Sequence, residues 1–290
     1  MLKPMCLVLI GWRAHPEYRL IVAANRDEFY TRPTESLRWW PEVTGLLAGR
    51  DLHVDTPVPG SWLGLVPRDR RFATVTNVYG PREHRTDARS RGALPMAHLR
   101  DVTEPEKFVH EIAAAPDDYN GYNLVVSDLE SLWWHSNRSA ATPLALAPGL
   151  HGLSNGAMLG SSDLASPHEI RTESDAPAWP KVREGLRGLR TVIETDPGNV
   201  SGYLRVLADR TVADDHELPD TGLPPRHERA VSARFVADLL YGTRCSTVLL
   251  IREDGAFSIT ERSFGHRTQV TGEASFTGTL ELTRSPKTEQ

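Results

Sequence analysis

The chain has 290 residues, of which 39% are hydrophobic and 24% are charged, and its net charge at pH 7 is −5. These values are typical of a globular protein with a full core, and they give no reason to expect nucleic acid or an anionic membrane surface as a partner. No apolar run approaches the ~20 residues that a membrane span requires, so the sequence predicts a cytoplasmic protein without a membrane span. With two cysteines, Cys6 and Cys245, the chain has neither a disulfide framework nor a cysteine-based zinc cluster.

The N-terminal third predicts two β-hairpins that together form one sheet of four strands. The predicted strands are 6–11, 18–24, 61–66 and 71–77. They are rich in β-branched and apolar residues, and turn-like polar segments join them in pairs. Antiparallel pairing of the first two strands places Cys6 beside Asn25, Arg26 and Asp27.

The middle of the chain is mainly helical, and strands return at its C-terminal end. The helix after Thr103 begins with capping-box spacing to Glu106, and 181–195 carries apolar residues at helical spacing. The other predicted elements are helices at 94–99 and 199–209 and strands at 122–128, 131–135, 246–251 and 256–260. Strands at both ends with helices between them favour an α+β fold, in which helices cover the outer faces of antiparallel sheets.

The first hairpin carries the residues of a nucleophilic site. A thiol is mostly protonated at neutral pH, with a free pKa of ~8.5, and the guanidinium of Arg26 favours the thiolate. If Met5 is absent, the α-amine of Cys6 is itself available as the base, and Asp27 orients the amine or the thiol. The alternative is a structural ion pair between Arg26 and Asp27 at a strand end.

Acyl transfer also requires hydrogen-bond donors for an oxyanion, and Asn77 and Asn155 are candidates because each ends a strand-like run. Asparagines in such places are more often turn formers. Arg244 precedes a strand and is a candidate to hold a substrate carboxylate or to stabilise the thiolate, although an exposed loop arginine is the ordinary interpretation. The sequence contains no metal, phosphate-loop or dinucleotide signature and predicts no cofactor.

A series of short motifs runs through the chain in a characteristic order. They are Met5-Cys6, Asn25-Arg26-Asp27-Glu28, Leu47-Ala48-Gly49-Arg50-Asp51, Trp62-Leu63-Gly64, Thr76-Asn77, Arg91-Gly92, Tyr119 through Leu124, Gly152-Leu153-Ser154-Asn155, Leu218-Pro219-Asp220, Tyr241-Gly242-Thr243-Arg244 and Thr260-Glu261-Arg262-Ser263. On these motifs residues 5–265 resemble the NRDE family, also called the transport and Golgi organisation protein 2 family. The chain departs from the family pattern at Pro59-Gly60-Ser61, where Gly-Gly-Thr is usual, and in the residues before Met5.

This family is similar to the N-terminal nucleophile hydrolases of the cholylglycine hydrolase type. The resemblance implies a four-layer αββα sandwich of two antiparallel sheets. By motif it implies the catalytic set Cys6, Arg26, Asp27, Asn77, Asn155 and Arg244. Because Arg26 and Asp27 are adjacent, their side chains need not both face the thiol.

The expected function is that of an N-terminal cysteine hydrolase acting on a C–N amide bond of a small acylated substrate. The alternatives are non-enzymatic binding or trafficking of a hydrophobic ligand (haem, or a lipid or acyl chain) and an interaction protein with a vestigial site. The expected organisation is a leader or mis-assigned start at 1–5, a single domain at 6–283 and a polar tail at 284–290. The sequence specifies neither the substrate nor the oligomeric state.

Overall fold

The chain folds into two antiparallel β-sheets of seven strands each, accompanied by five α-helices, and the predicted α+β class is confirmed. The computed structural model describes residues 5–53, 58–78, 85–156, 158–160, 180–218 and 224–281, and these counts refer to that part of the chain. Residues 1–4 of the predicted leader, the predicted tail at 284–290 and residues 219–220 lie outside it.

The elements follow the chain in this order. The strands are β1 (Leu7–His15), β2 (Tyr18–Phe29), β3 (Thr34–Trp39), β4 (Leu47–Asp51), β5 (Leu63–Val66), β6 (Arg71–Asn77), β7 (Tyr122–Ser127), β8 (Leu132–Ser136), β9 (Leu144–Ala145), β10 (Gly149–Leu153), β11 (Leu159–Gly160), β12 (Tyr241–Arg252), β13 (Ala256–Phe264) and β14 (Val270–Thr279). The helices are α1 (Ala93–Arg100), α2 (Pro105–Ala113), α3 (Pro180–Thr195), α4 (Val200–Leu207) and α5 (Pro225–Val231).

The first sheet contains both the N-terminal and the C-terminal strands, in the order β11-β10-β1-β2-β12-β13-β14. The second sheet keeps the order of the sequence, from β3 to β9. Helices α3 and α4 pack on the first sheet, whereas α1 and α2 pack on the second. Each sheet therefore has its own pair of helices.

Alternate residues of β1 face two different cores. Leu7 and Leu9 belong to a core shared with α3 and α4. Val8 and Ile10 belong to a larger core that also contains side chains of the second sheet. Successive side chains of a strand point to opposite faces, so a strand that is covered on both sides reads as an unbroken apolar run.

The prediction of one four-stranded sheet is wrong. The two predicted hairpins do form, but β1 and β2 belong to the first sheet and β5 and β6 to the second. Pairing partners between hairpins are decided by contacts distant in sequence, and no local pattern carries that information. Strand β2 also continues to Phe29, so Asn25 to Glu28 lie inside a strand rather than after it.

The predicted helices at 94–99, after Thr103, at 181–195 and at 199–209 are confirmed as α1 to α4. The capping box is not formed, because α2 begins at Pro105 after Glu104 and has no side-chain cap. The sequence did not reveal β14, whose residues are almost all exposed and therefore carry no apolar alternation. No helix of the described residues is long and apolar enough to cross a membrane.

Candidate functional site

Cys6 lies just before β1, beside the middle of the first sheet. Leu7 pairs with Asn25 in the β1–β2 hairpin, and this register puts Cys6 next to Arg26. On the other side of β2, Arg26 pairs with Cys245 of β12. Cross-strand partners share a face of the sheet. The two buried thiols therefore flank the Arg26 side chain in one row across three strands.

Arg26 and Asp27 use different partners. The Arg26 guanidinium forms ion pairs with Asp51 at 3.3 Å and with Glu28 at 3.7 Å. Asp27 accepts a hydrogen bond at 2.7 Å from the hydroxyl of Thr243, and the ammonium group of Lys181 attracts its charge. Within the described residues the two neighbours form no ion pair with each other, so the structural pair considered above is absent.

The Asp27 carboxylate is fully buried and only partly satisfied. Its second oxygen, Oδ2, has no hydrogen-bond partner among the described residues. Burial raises the pKa of Asp27 to about 7, against the opposing charge of Lys181 and the hydrogen bond from Thr243. A buried carboxylate with an open acceptor atom is costly unless a donor or a cation joins it.

With Met5 attached, the Cys6 thiol is poorly ionised. Burial raises its pKa to about 11, and the charge of Asp27 adds to this, while Arg26 acts in the opposite direction. Both backbone polar groups of Met5 are hydrogen-bonded. Its N–H donates to the Tyr241 hydroxyl, and its carbonyl accepts from Lys181 Nζ at 3.3 Å. Met5 is itself buried, with 1% of its surface exposed.

Four of the six predicted site residues meet in one cavity of about 410 Å³, which we call the thiol cavity: Cys6, Arg26, Asp27 and Asn77. Asn155 lies next to it, because its side-chain Nδ2 donates to the Asn77 carbonyl at 2.8 Å. The neighbouring Ser154 hydroxyl donates to the Cys6 carbonyl at 2.8 Å. Hydrogen bonds from the residues that follow β10 thus connect Cys6 with the end of β6.

Arg244 lies elsewhere. It is the extra residue of a bulge in β12, between Thr243 opposite Asp27 and Cys245 opposite Arg26. A bulge redirects the side chain of the inserted residue. Arg244 accordingly lines a second cavity of about 160 Å³, which we call the arginine cavity, together with Cys245. The two cavities share Arg26, Asp51 and Trp62 as walls.

Sequence reasoning gave no role to two residues of the site. Asp51 binds both Arg26 and Arg32, and its place in a recognised motif was the available signal. Lys181 has 2% of its surface exposed and lies at the start of α3, where a lysine looks like part of a solvated helix face. No sequence pattern marks such a lysine as buried. The described residues contain no cluster of three or more histidine, cysteine, aspartate or glutamate side chains suited to a metal ion.

Comparison with known proteins gives the family of the chain. A family model described as Transport and Golgi organisation 2 matches residues 5–266. The chain belongs to this family. The bovine Transport and Golgi organization protein 2 homolog is 31% identical over 280 residues, covering 89% of this chain and 93% of the relative.

Other relatives align over similar lengths. The human homolog is 28% identical over 276 residues, covering 89% of this chain and 93% of its own. An uncharacterised protein of Saccharomyces cerevisiae is 36% identical over 291 residues, covering 86% and 88% of the two chains. The family match begins at Met5, next to the thiol that opens into the cavity.

Proposed function

We propose that this member of the Transport and Golgi organisation 2 family is an N-terminal cysteine hydrolase of C–N amide bonds in small acylated substrates. The active form in this proposal begins at Cys6. We also propose that the two sheets and their helices form the αββα sandwich of the N-terminal nucleophile hydrolases. The two cores on opposite faces of β1 and the separate helix pairs on the two sheets support that arrangement.

The observation that carries the proposal is the open acceptor atom of Asp27 beside Cys6. Asp27 lines the thiol cavity, is fully buried, and has an Oδ2 atom with no partner among the described residues. In this proposal an α-ammonium group on Cys6 donates a hydrogen bond to that atom. The amine, with an ordinary pKa of ~7.7–8.0, then serves in its neutral form as the base for the thiol proton.

The chemistry balances with these groups alone. The amine takes the thiol proton, and Sγ attacks the amide carbon to give a tetrahedral oxyanion. The ammonium protonates the leaving nitrogen as the C–N bond breaks, which leaves a thioester. Water, deprotonated by the same amine, attacks the thioester; the acid leaves, and the thiol is restored.

The remaining residues have positioning and electrostatic roles in this proposal. Arg26 lies between the two thiols and lowers the pKa of Cys6 against the effect of burial. Asn77 lines the cavity and is the candidate donor to the oxyanion. Asn155 holds the Asn77 backbone and is therefore a positioning residue.

The lining of the thiol cavity favours a polar substrate over the alternative of a hydrophobic cargo. Charged side chains contribute much of its wall, namely Arg26, Asp27, Glu28, Arg32, Asp51, Arg89 and Arg91. Burying an apolar ligand against these groups would remove their water without giving them hydrogen-bond partners. A small acylated amine offers a carbonyl and an N–H that can replace that water.

The test compares two forms of the same chain. A site-specific protease site placed directly before Cys6 yields, after cleavage, the form that begins with Cys6. The parent protein, in which Met5 precedes Cys6, is the second form, and intact mass verifies both. We expect alkylation of Cys6 by iodoacetamide at pH 7.5 to be at least about tenfold faster in the cleaved form, because the free amine takes up the thiol proton. We also expect turnover of short-chain acyl p-nitroanilides in that form alone.

Matched variants separate the two thiols. Cys245→Ala is expected to retain turnover, and Cys6→Ala is expected to abolish it. Equal alkylation rates in both forms, or turnover that persists in Cys6→Ala, would contradict the proposal.

A further inference from the structure

The arginine cavity adjoins the thiol cavity on the far side of Arg26 from Cys6, and both are lined by Arg26, Asp51 and Trp62. Its volume is about 160 Å³, about ten times the 10–15 Å³ that a single water requires. Cys6 and Cys245 lie on either side of β2, so two strand spacings, ~10 Å, separate the backbones at the two cavities. The cavity is large enough for a small polar group.

Among the described residues Arg244 forms no ion pair with a carboxylate, although the charge of Glu28 acts to raise the pKa of Arg244. Its guanidinium donates to the backbone carbonyls of Phe29 and Arg32 at 2.9 and 3.1 Å and to the Thr34 hydroxyl at 3.2 Å. No carboxylate of the described residues lies within 4 Å of it, and its Nε has no partner there. Burial lowers the pKa of Arg244, and the nearby charge of Arg26 acts in the same direction.

The other cations of this cavity are neutralised. Arg26 has Asp51 and Glu28 as ion-pair partners. Arg50 has Glu35 at 3.4 Å and also Glu42. The contrast leaves Arg244 as the lining arginine without an ion-pair partner among the described residues.

The carboxylates that line the cavity are already engaged. Asp51 forms ion pairs with Arg26 and Arg32. Glu261 accepts from the Leu37 N–H at 2.7 Å and the Thr247 hydroxyl at 3.2 Å, and burial raises its pKa, which favours its neutral form. The hydroxyls of Ser36 and Ser263, 2.9 Å apart, add donors to the wall. The cavity therefore combines an arginine that has no ion-pair partner among the described residues with two hydroxyl groups.

We infer that the arginine cavity is a binding site for a small oxyanion, held by Arg244 and the Ser36 and Ser263 hydroxyls. Guanidinium groups form strong charge-assisted hydrogen bonds with carboxylates and phosphates, and desolvation strengthens them. The site takes a carboxylate or phosphate group of small size.

For the substrate, this inference rests on the proposed function. The cleaved amide lies over Cys6, and the carboxylate of the same substrate lies at Arg244, about two strand spacings away. The substrate class is then an N-acyl compound that carries a carboxylate ~10 Å from the scissile carbonyl. N-acylated ω-amino acids with a long methylene chain between the amide and the carboxylate have this form, whereas N-acylated α-amino acids are too short to reach both cavities.

The test measures anion binding without catalysis. Inorganic phosphate, acetate and N-acetylglycine are titrated by calorimetry into the full chain carrying Cys6→Ala, at constant ionic strength with chloride as the reference anion. We expect saturable binding and a matching rise in melting temperature. In Arg244→Gln we expect at least about tenfold weaker binding, the loss typical of a removed charge-assisted hydrogen bond.

Two further variants keep the test decisive if Arg244→Gln unfolds. Ser263→Val narrows the cavity while leaving Arg244 in place, and it should also weaken binding. Arg262→Gln, which removes an exposed arginine from the same strand, should bind the anions as the parent does. Equal binding in the Ser263→Val and Arg262→Gln proteins, or no saturable binding by the parent, would overturn the inference.

The comparison of anions identifies the occupant. Tighter binding of N-acetylglycine than of phosphate assigns the site to a substrate carboxylate, and the reverse assigns it to free phosphate. Binding in the Cys6→Ala protein without any turnover by the chain that begins at Cys6 would support the oxyanion site and contradict the hydrolase proposal.

Discussion

At the scale of single residues, the charged forms of the two aspartates near Arg26 have opposite effects on the stability of the folded chain. Asp51 is paired with Arg26 and Arg32. Hydrogen bonding from Arg32 and the charge of Arg26 outweigh burial and lower the pKa of Asp51. Asp27 is buried with an unpartnered oxygen, and its pKa is raised to about 7. One carboxylate stabilises the folded chain when it is charged, and the other destabilises it.

This contrast gives opposite pH dependences. Because the pKa of Asp27 is raised in the folded chain, its stabilising contribution to the free energy of unfolding is full below pH 3.8, the pKa in the unfolded chain. That contribution is lost as the pH rises towards about 7. Because the pKa of Asp51 is lowered in the folded chain, its stabilising contribution to the free energy of unfolding is present above its pKa in the unfolded chain. That contribution is lost as the pH falls. The sign of the change in the free energy of unfolding with pH therefore distinguishes a structural carboxylate from a functional one.

We therefore expect Asp51→Asn to reduce the free energy of unfolding at pH 7.5 by about 1–3 kcal/mol, because it breaks a paired, partly buried charge. We expect Asp27→Asn to reduce it less than Asp51→Asn at pH 7.5, and to gain stability relative to the parent as the pH rises from 4 to 7. Urea unfolding at several pH values, with the parent as reference, measures both. A larger loss at pH 7.5 for Asp27→Asn than for Asp51→Asn would show that Asp27 is a structural residue.

At the scale of elements, helix α3 approaches the first sheet closely at one glycine. A Cβ atom built on Gly152 of β10 would lie 2.5 Å from Val182 Cγ1 and 3.1 Å from Leu186 Cδ1. Both side chains are buried on the inner face of α3. The lack of a side chain at residue 152 thus sets the distance between the helix and the sheet, close to Ser154 and Asn155.

Gly152→Ala is accordingly expected to lower the free energy of unfolding by about 1–3 kcal/mol through overpacking. The matched control is Gly272→Ala in β14, where an added Cβ meets nothing within 4 Å. That variant should be neutral or more stable by up to about 1 kcal/mol, because alanine restricts the unfolded chain. Denaturant titration of the two variants compares them directly, and equal effects would refute the close-packing argument.

The elements also show what the sequence predicted and what it did not. The local patterns identified the strands of both hairpins and the helices α1 to α4, because apolar periodicity is visible within each segment. They did not assign the hairpins to different sheets, since that depends on pairing between β6 and β7 and between β2 and β12. Exposed β14 has no apolar pattern to detect.

For the site, the cross-strand register already brought Cys6 next to Arg26, as the sequence predicted. The position of Arg244 was not predictable, because a single inserted residue in β12 redirects its side chain to the other cavity. Lys181 was not predictable either, since its burial results from α3 packing over Met5.

At the scale of the whole molecule, two buried histidines make the fold sensitive to acid. His98 of α1 contacts the Ser127 carbonyl through Nε2 at 3.2 Å, while its Nδ1 lies 3.4 Å from the Arg71 guanidinium. His135 of β8 contacts the Thr142 hydroxyl through Nδ1, and its Nε2 has no partner among the described residues. Protonated His98 would be repelled by the positive charge of Arg71. Protonated His135 would have a buried N–H group without a hydrogen-bond acceptor among the described residues.

The pKa values follow from this geometry. Burial lowers the pKa of His98 from 6.5 to about 4, assisted by the charge of Arg71. Burial, with a smaller effect of His110, lowers that of His135 to about 4. Below pH 6.5 the unfolded chain takes up protons that the folded chain does not, so stability is lost between pH 6.5 and about 4. Asp27 acts in the opposite direction over the whole of this range.

The expected result is a more acid-resistant protein when both histidines are replaced by an uncharged side chain. Glutamine can donate to Ser127 and accept from Arg71, so His98→Gln alone should remove up to about 3 kcal/mol of the loss between pH 6.5 and 4. The double variant with His135→Gln should flatten the profile further. Urea unfolding at pH 7.5, 6.0, 5.0 and 4.5 measures the slope, with the exposed His216→Gln as the matched control. If the double variant and this control lose stability with the same slope, other groups, such as the carboxylates of the ion pairs around Arg26, must cause the acid sensitivity.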